Sequence, residues 1–448
     1  MPPVLSDLTE ALLAAAKSAG AEAADALAVE GRAVSIDVRG GALEQAERSE
    51  GVEIGLRVLM GGRQACVAAS DISARTMADM AERAVAMARE APNDPYAGLA
   101  DPTQFARAWD IAAYEIEDPS AEPDPAALEA DARAAEAAAL AVSGVAQVQS
   151  ASASWSGRKL HLANSNGFSG GYGRTSRSVS AVAISGEGAE MERDWAAESR
   201  IFQADLPAAE EVGRLAGERA VARAKPRRPK TGAYPVLIDE RVAGSLIGHL
   251  LSAINGSAIA RGASWLRDGM GTQVLPKELS LIEDPFRPRI SGSRPFDAEG
   301  LPTQPRAIVE NGILTGWTLD LATARKLGMQ STANASRGTT STPTPATGNV
   351  ALTQGTHSHE ELLREMGTGL LITSFIGATI NPTTGDYSRG ANGFWVEGGE
   401  IRYPVNECTV AGNLHDMLRA IIPANDARTH LSHVVPSLLL EGLTLAGA

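Results

Sequence analysis

The sequence predicts an α+β protein in three units: an N-terminal mixed antiparallel sheet with helices over 1–120, an α+β central region over 121–230, and a strand-rich C-terminal domain with a few helices over 231–448. Three observations carry this prediction. Apolar and polar residues alternate in short runs bounded by glycine pairs, the period-two pattern of strands ended by turns. Between them lie Ala- and Glu-rich stretches of helical composition. Glycine stands at 45 of 448 residues while aromatics make up only 4%, which suits many tight turns between short elements. At roughly 100–200 residues per domain, the length also allows several units.

Leu8, Leu12, Leu13 and Ala16 share one helical face, and Gly20 is placed to stop that helix. Val34, Ile36 and Val38 alternate next, Gly40-Gly41 turns the chain, and Val52, Ile54, Leu56 and Val58 alternate again before Gly61-Gly62 and a short run through Ala65 and Val67. This is the pattern of an antiparallel meander. A helix over about Ser73–Glu90 and an irregular loop from Pro92 to Asp101 complete the first unit.

In the central unit, Pro125 suits the first turn of a helix running to Ala141. Strands are expected around Val145–Ser154, Lys159–Ala163, Ser178–Ile184 and Ala189–Trp195, followed by a helix over Ala208–Ala224. Lys225-Pro226-Arg227-Arg228-Pro229-Lys230 is basic and helix-breaking, the composition of a linker.

The third unit opens with a strand at Tyr234–Ile238 and a helix over Arg241–Asn255. Asn311-Gly312 and Gly398-Gly399 each sit between apolar alternations, the strongest short signal for a hairpin, because such turns need positive φ. Ser331 to Gly348, rich in Ser, Thr, Pro and Gly, reads as a mobile loop, and Ser358-His359-Glu360-Glu361 opens a helix as a capping box.

Composition also restricts function. A formal charge of −14 without a long basic run argues against nucleic acid as a partner. No run of about 18 apolar residues occurs, so no membrane-spanning helix is expected. The Met1-Pro2-Pro3 opening lacks the basic start and apolar stretch of a signal peptide. Two cysteines, Cys66 and Cys408, cannot build a disulfide framework, which makes the cytoplasm the expected compartment.

The inventory for a metal site is equally thin. No pair of histidines one helical turn apart carries a neighbouring glutamate, the pattern that would set two ligands and a general base on one helix face. His249 stands alone in its helix and reads as structural. His357 and His359 flank a helix start and read as solvent-exposed. His430, His433 and Asp426 form a half-site short of one ligand, and Cys408 lies in an apolar strand, where a thiol is buried and inert. Gly385-Asp386-Tyr387-Ser388-Arg389 joins charge, hydroxyls and an aromatic ring to glycine, a composition suited to a tight strand crossing or to a polypeptide contact.

In collinear order, Gly55-Leu56-Arg57-Val58, Asn164-Ser165-Asn166-Gly167, Gly248-His249-Leu250, Pro295-Phe296-Asp297-Ala298-Glu299-Gly300, Ala324-Arg325-Lys326-Leu327-Gly328, Arg364–Leu370, Gly385–Gly390 and Ala411-Gly412-Asn413-Leu414 resemble the TldD/TldE (PmbA) family, and within it the TldE, or PmbA, branch. The resemblance covers nearly the whole chain. It implies a cytosolic zinc-type metallopeptidase of two related subunits that degrades or trims unfolded polypeptides such as a microcin precursor or an antitoxin. An older family name carries a link to DNA gyrase.

In the TldD subunit, a His-Glu-x-x-x-His helix and a C-terminal cysteine hold the metal. The positions that align with that helix are Gly248, His249 and Ala253, so both ligand positions lack a donor and the base position holds histidine. No cysteine follows Cys408. The resemblance therefore implies no cofactor in this chain, zinc in a TldD-type partner bound as a heterodimer, and no catalytic residues here, with Gly385, Asp386, Tyr387, Ser388 and Arg389 as substrate-path candidates. Unfolded peptides would be the substrates, entering as extended chains that pair with strand edges. Two alternatives stay open: an independent metallopeptidase using His430, His433 and Asp426, and a peptide-binding homodimer acting as a modulator.

Overall fold

On the first long strand, Ala24, Ala26 and Ala28 and then Val34, Ile36 and Val38 are apolar and point to one side, with Glu30 and Arg32 between the two groups, and this fixes where the N-terminal sheet collects helices. The structure is a computed structural model that describes residues 4–447, so the Met1-Pro2-Pro3 opening lies outside the described residues. Its first half contains α1 (Leu5–Ser18), β1 (Ala23–Arg39), β2 (Ala42–Met60), β3 (Arg63–Ala69), α2 (Ala74–Glu90), α3 (Pro125–Leu140), β4 (Val145–Asn164), β5 (Ser169–Ser185), β6 (Glu192–Arg200) and α4 (Ala209–Ala222).

These strands form one antiparallel six-stranded sheet in the order β3-β2-β1-β4-β5-β6. The β1–β4 pairing joins the first and central segments of the sequence. Helices α1 and α2 cover Ala24, Ala26 and Ala28 at one end of the face, and α3 and α4 cover Val34, Ile36 and Val38 at the other. On the opposite face, Leu27 and Val29 pack with Phe168, Phe296 and Leu301, the last two contributed by the C-terminal domain.

The second half contains β7 (Gly232–Ile238), α5 (Glu240–Ala253), α6 (Gly256–Arg261), β8 (Leu281–Glu283), β9 (Arg306–Glu310), β10 (Ile313–Leu314), α7 (Leu321–Leu327), β11 (Ala335–Ser336), β12 (Thr344–Pro345) and β13 (Val350–Leu352). It continues with α8 (His359–Met366), β14 (Gly369–Ile380), β15 (Asp386–Glu397), β16 (Glu400–Asn413), α9 (Leu414–Arg419), β17 (Ile422–Pro423), β18 (His433–Val434) and β19 (Leu438–Ala446). One sheet runs β16-β15-β14-β7-β19-β17, and β16 also pairs with β19, which closes it into a barrel-like curl. A second runs β10-β9-β8-β13-β18. Leu246, Ile247 and Leu250 of α5 lie in a core shared by both. The α+β class and the strand-rich C-terminal half are as the sequence predicts.

Both hairpin turns form as expected, with Asn311 and Gly312 at φ 49° and 81° and Gly398 and Gly399 at 62° and 78°. Other expectations change. The strands expected at Val145–Ser154 and Lys159–Ala163 are one strand, because Gly157 is no turn residue: a Cβ there would stand 2.8 Å from the Trp155 ring, so the missing side chain makes room in mid-strand. The strand expected at Ala189–Trp195 is β6, shifted to Glu192–Arg200.

The Ser331–Gly348 segment departs furthest from its reading. Asn334 and Thr339 are buried, the Arg337 side chain is only 1% exposed, and Thr339 lies so close to β2 that a Cβ on Gly55 would stand 2.3 Å from its carbonyl oxygen. It is a strap tying the C-terminal domain to the first sheet. The basic linker is also docked: the Arg227 N–H donates to Pro404 O at 2.9 Å, its guanidinium lies 5.0 Å from the Tyr403 ring centre, and Arg228 pairs with Glu407.

Candidate functional site

Asp239 ends β7 and caps α5, its Oδ1 accepting the Arg241 N–H at 3.0 Å. From that start, Ser245, Gly248, His249 and Ser252 recur at helical spacing and are partly or fully exposed, while Leu246, Ile247 and Leu250 fill the core. The space over Gly248 is open, since an added Cβ would meet nothing within 4 Å. Strand β15 passes beside this helix and brings two of the sequence-derived candidates to it. The Tyr387 ring stands edge-on to His249, 5.7 Å between centres, and Arg389 Nη1 donates to Ser245 Oγ at 3.3 Å.

Arg389 is fixed further by a 2.8 Å hydrogen bond from Nε to Gly377 O and by the Phe375 ring 4.4 Å away. The left-handed φ of 64° at Gly377 marks the irregular pairing of β14 with β15 that presents this carbonyl. Ser245 and Phe375 were not singled out from the sequence. Only the helical spacing of Ser245 from His249 signals them in advance.

The site's electrostatics disfavour a cation. Burial, with Arg389 adding positive charge nearby, pushes the His249 pKa down to about 4, so the ring is neutral at pH 7, and its Nε2 is buried without a hydrogen-bond partner among the described residues. Burial likewise pushes Tyr387 up to about 12 and Cys408 up to about 11. The Cys408 thiol is buried and donates to Ala391 O at 3.1 Å, the inert role its strand context predicts. Of the three positions aligned with a metal-binding helix, Gly248 and Ala253 offer no donor atom, and His249 faces a guanidinium. These residues do not fit a zinc ion.

The remaining candidates are arranged differently. Gly385, at φ 78°, and Asp386 shape the start of β15, where Asp386 accepts from Thr384 Oγ1 at 2.6 Å and from Asn413 Nδ2 at 3.1 Å. Ser388 pairs with Thr379 on one side and Ala411 on the other. Because β15 is hydrogen-bonded along both flanks and the sheet curls closed, this strand has no free edge to lend a peptide; any contact there is through side chains.

The histidines disperse. His359 is not solvent-exposed as expected, because the first turn of α8 sets its Nδ1 3.1 Å from Ser437 Oγ and 3.6 Å from Asp426 Oδ2. The Asp426 carboxylate beside it, outweighing burial, raises its pKa. His430 instead meets Glu198 of β6 at 3.4 Å, and His433 lies in β18. The proposed His430, His433 and Asp426 half-site is therefore not brought together, and among the described residues no group of three or more His, Cys, Asp and Glu side chains is placed to hold a metal ion.

Sequence reasoning also missed a buried ionic joint. Asp25 of β1 accepts from Arg57 Nε of β2 at 2.6 Å and pairs with Arg337 of the strap, all three side chains being at most 4% exposed. Burial alone would raise the Asp25 pKa, but Arg337 and Arg57 outweigh it and hold the carboxyl below its ordinary value. Nearby, the Asp297 carboxylate accepts the backbone N–H groups of Glu299, Leu301 and Ala335, which gives the Pro295–Gly300 motif a structural reason.

Comparisons with known proteins match this arrangement. Residues 24–88, 118–224 and 231–447 match, in that order, domain 1, the central domain and the C-terminal domain of the PmbA/TldA metallopeptidases. The chain is 37% identical to the metalloprotease PmbA of Escherichia coli O157:H7 over 97% of its own length and 94% of that protein's. A crystal structure from Bacteroides thetaiotaomicron, described as a candidate modulator of DNA gyrase, superposes with a TM-score of 0.91 at 25% identity, covering 99% of this chain and 98% of that one. TldE from Thermococcus kodakarensis shares the fold, with a TM-score of 0.86 at 20% identity over 98% of this chain and 100% of that one. No helix among the described residues is long and apolar enough to cross a membrane.

Proposed function

The chain belongs to the PmbA/TldD metallopeptidase family, in its PmbA branch, and on that premise we propose that it is the non-catalytic subunit of a two-subunit cytoplasmic peptidase acting on unfolded polypeptides. The observation that carries the reading is the donor set on α5. Gly248 and Ala253 have no ligand atoms, and the lone His249 is neutral beside Arg389. Zinc and the activated water then belong to a TldD-type partner.

In such a complex, this chain's contribution is to enclose the reaction and limit it to extended chains. The face of α5 with its open Gly248, flanked by Arg389, is the surface we assign to substrate or partner contact. With β15 flanked by β14 and β16 on its two sides, recognition there rests on side chains, with Arg389 a charged group at this face.

The test is cleavage of an unfolded peptide by the purified chain, by its TldD-type partner, and by the mixture. Cleavage confined to samples containing the partner, and enhanced in the mixture, supports the assignment. Chelator-sensitive cleavage by the isolated chain overturns it in favour of an independent peptidase, and peptide binding without any partner-dependent cleavage overturns it in favour of a modulator.

A further inference from the structure

A cavity of about 420 Å³ lies between the first sheet and the C-terminal domain, away from the α5–β15 site. Its apolar wall includes Leu160, Tyr172 and Phe296. Four arginines line it as well: Arg158 and Arg174 from the sheet, Arg294 and Arg337 from the domain opposite. In a chain of net charge −14, such a concentration of cations needs a reason.

No internal salt bridge supplies one. Arg158 and Arg174 stand directly opposite each other on β4 and β5, a like-charge pairing that destabilises a sheet. Among the described residues, none of Arg158, Arg174 and Arg294 forms a salt bridge, and Arg337 is paired only with Asp25 behind the cavity wall. Among the described residues the one carboxylate lining the cavity is Asp297, which Arg294 partly balances and whose oxygens already accept three backbone N–H groups, while Arg294 itself reaches only the carbonyls of Ala335 and Ala346, at 3.5 and 3.4 Å.

Donors are also left over. Arg174 spends Nη2 on Ser293 O at 2.5 Å, but its Nε is buried without an acceptor, as are Nε and Nη2 of Arg337, whose side chain is 1% exposed. Buried guanidinium N–H groups without acceptors are costly, and an oxyanion is the ligand that satisfies them, since the guanidinium fork matches carboxylate and phosphate geometry. The volume falls within the range of small-molecule sites.

We propose that this cavity binds a small organic oxyanion, a carboxylate or phosphate monoester bearing an apolar or aromatic group, with the acid among Arg158, Arg174, Arg294 and Arg337 and the body against Leu160, Tyr172 and Phe296. The site is complete within one chain. It therefore stands or falls separately from the peptidase role.

Calorimetric titration of the full chain at low salt tests it, with N-acetylphenylalanine as the carboxylate probe, phenyl phosphate as the phosphate probe and N-acetylphenylalanine amide as the neutral control. Saturable one-to-one binding of at least one acid is expected, with the amide about tenfold weaker or worse, and the preferred acid identifies the source of the oxyanion. Arg174→Gln and Arg294→Gln should each weaken binding about tenfold. Should either variant fail to fold, Arg158→Gln, at an exposed position on the rim, must still weaken binding several-fold. Absence of saturable binding by both acids below about 10 mM, equal binding of the amide, or undiminished binding by the folded variants overturns the proposal.

Discussion

At the joint between the first sheet and the C-terminal domain, Asp25 is gripped by Arg57 and Arg337 and shut off from water, whereas on the face of α5 the His249 ring has a buried nitrogen with no partner and Arg389 is held by a carbonyl, a hydroxyl and a ring, with no carboxylate. Both places bring titratable groups out of water. In the joint, two guanidiniums outweigh the desolvation of the Asp25 carboxyl, so its charged form persists, although Arg337 Nε and Nη2 find no acceptor among the described residues. At the α5 face no carboxylate among the described residues compensates the desolvation, so the histidine stays neutral and the arginine has no counter-charge there. A closed cluster that holds a carboxylate between two cations fixes how two parts of a chain dock. An open, uncompensated one is suited to meeting something outside the chain.

The joint is the easier of the two to break. Asp25→Leu leaves two guanidiniums buried without their counter-charge, and denaturant unfolding should show a loss of about 3–5 kcal/mol. The pH dependence has a defined sign. Because the Asp25 pKa is depressed on folding, its contribution is present above the ordinary carboxylate value and fades as pH falls through the folded one. The variant should lack that acid-dependent component, and retention of wild-type stability would remove the contrast between the two regions.

At the α5 face the expected signature is a titration. By NMR, the His249 ring should protonate near pH 4, well below an ordinary histidine. Since the unfolded chain binds that proton more readily, the neutral ring's contribution to stability is complete above about pH 6.5 and declines as pH falls toward the folded pKa. A normal histidine titration would mean that the face is wetter than described. Arg389→Leu sharpens the comparison by removing the second cause of the shift: the His249 pKa should rise but stay depressed, because burial is the larger cause. The smallest effect is expected from Gly248→Ala, which enters open space in a helix and should stabilise the fold by about 0.5–1 kcal/mol. Destabilisation there would show that the face is already covered.

The two regions were unequally legible in the sequence. The parts of the α5 face are local signals, a helical pattern around His249 and a glycine-punctuated run before Arg389, but neither signal says that the two meet. The joint could not be located. Asp25 lies in an apolar strand, Arg57 in a second, and Arg337 in a segment whose Ser, Thr, Pro and Gly content speaks only of backbone freedom. Nothing local indicates that three residues so far apart in the chain converge. The same limit concealed the continuous sheet, since the β1–β4 pairing spans more than a hundred residues of sequence, while the Asn311-Gly312 and Gly398-Gly399 turns, which depend on their own backbone angles, were plain from the start. His359 was misjudged for a related reason: a capping box fixes where a helix begins but says nothing about Asp426 and Ser437 arriving from elsewhere.

The central claim is that this chain, although a member of a metallopeptidase family, does not itself hold the metal. Elemental analysis of the purified chain after incubation with excess zinc and gel filtration tests it most directly. Zinc well below one atom per chain is predicted, unchanged by His249→Ala or His433→Ala. One tightly held zinc per chain, lost with either substitution, would contradict it.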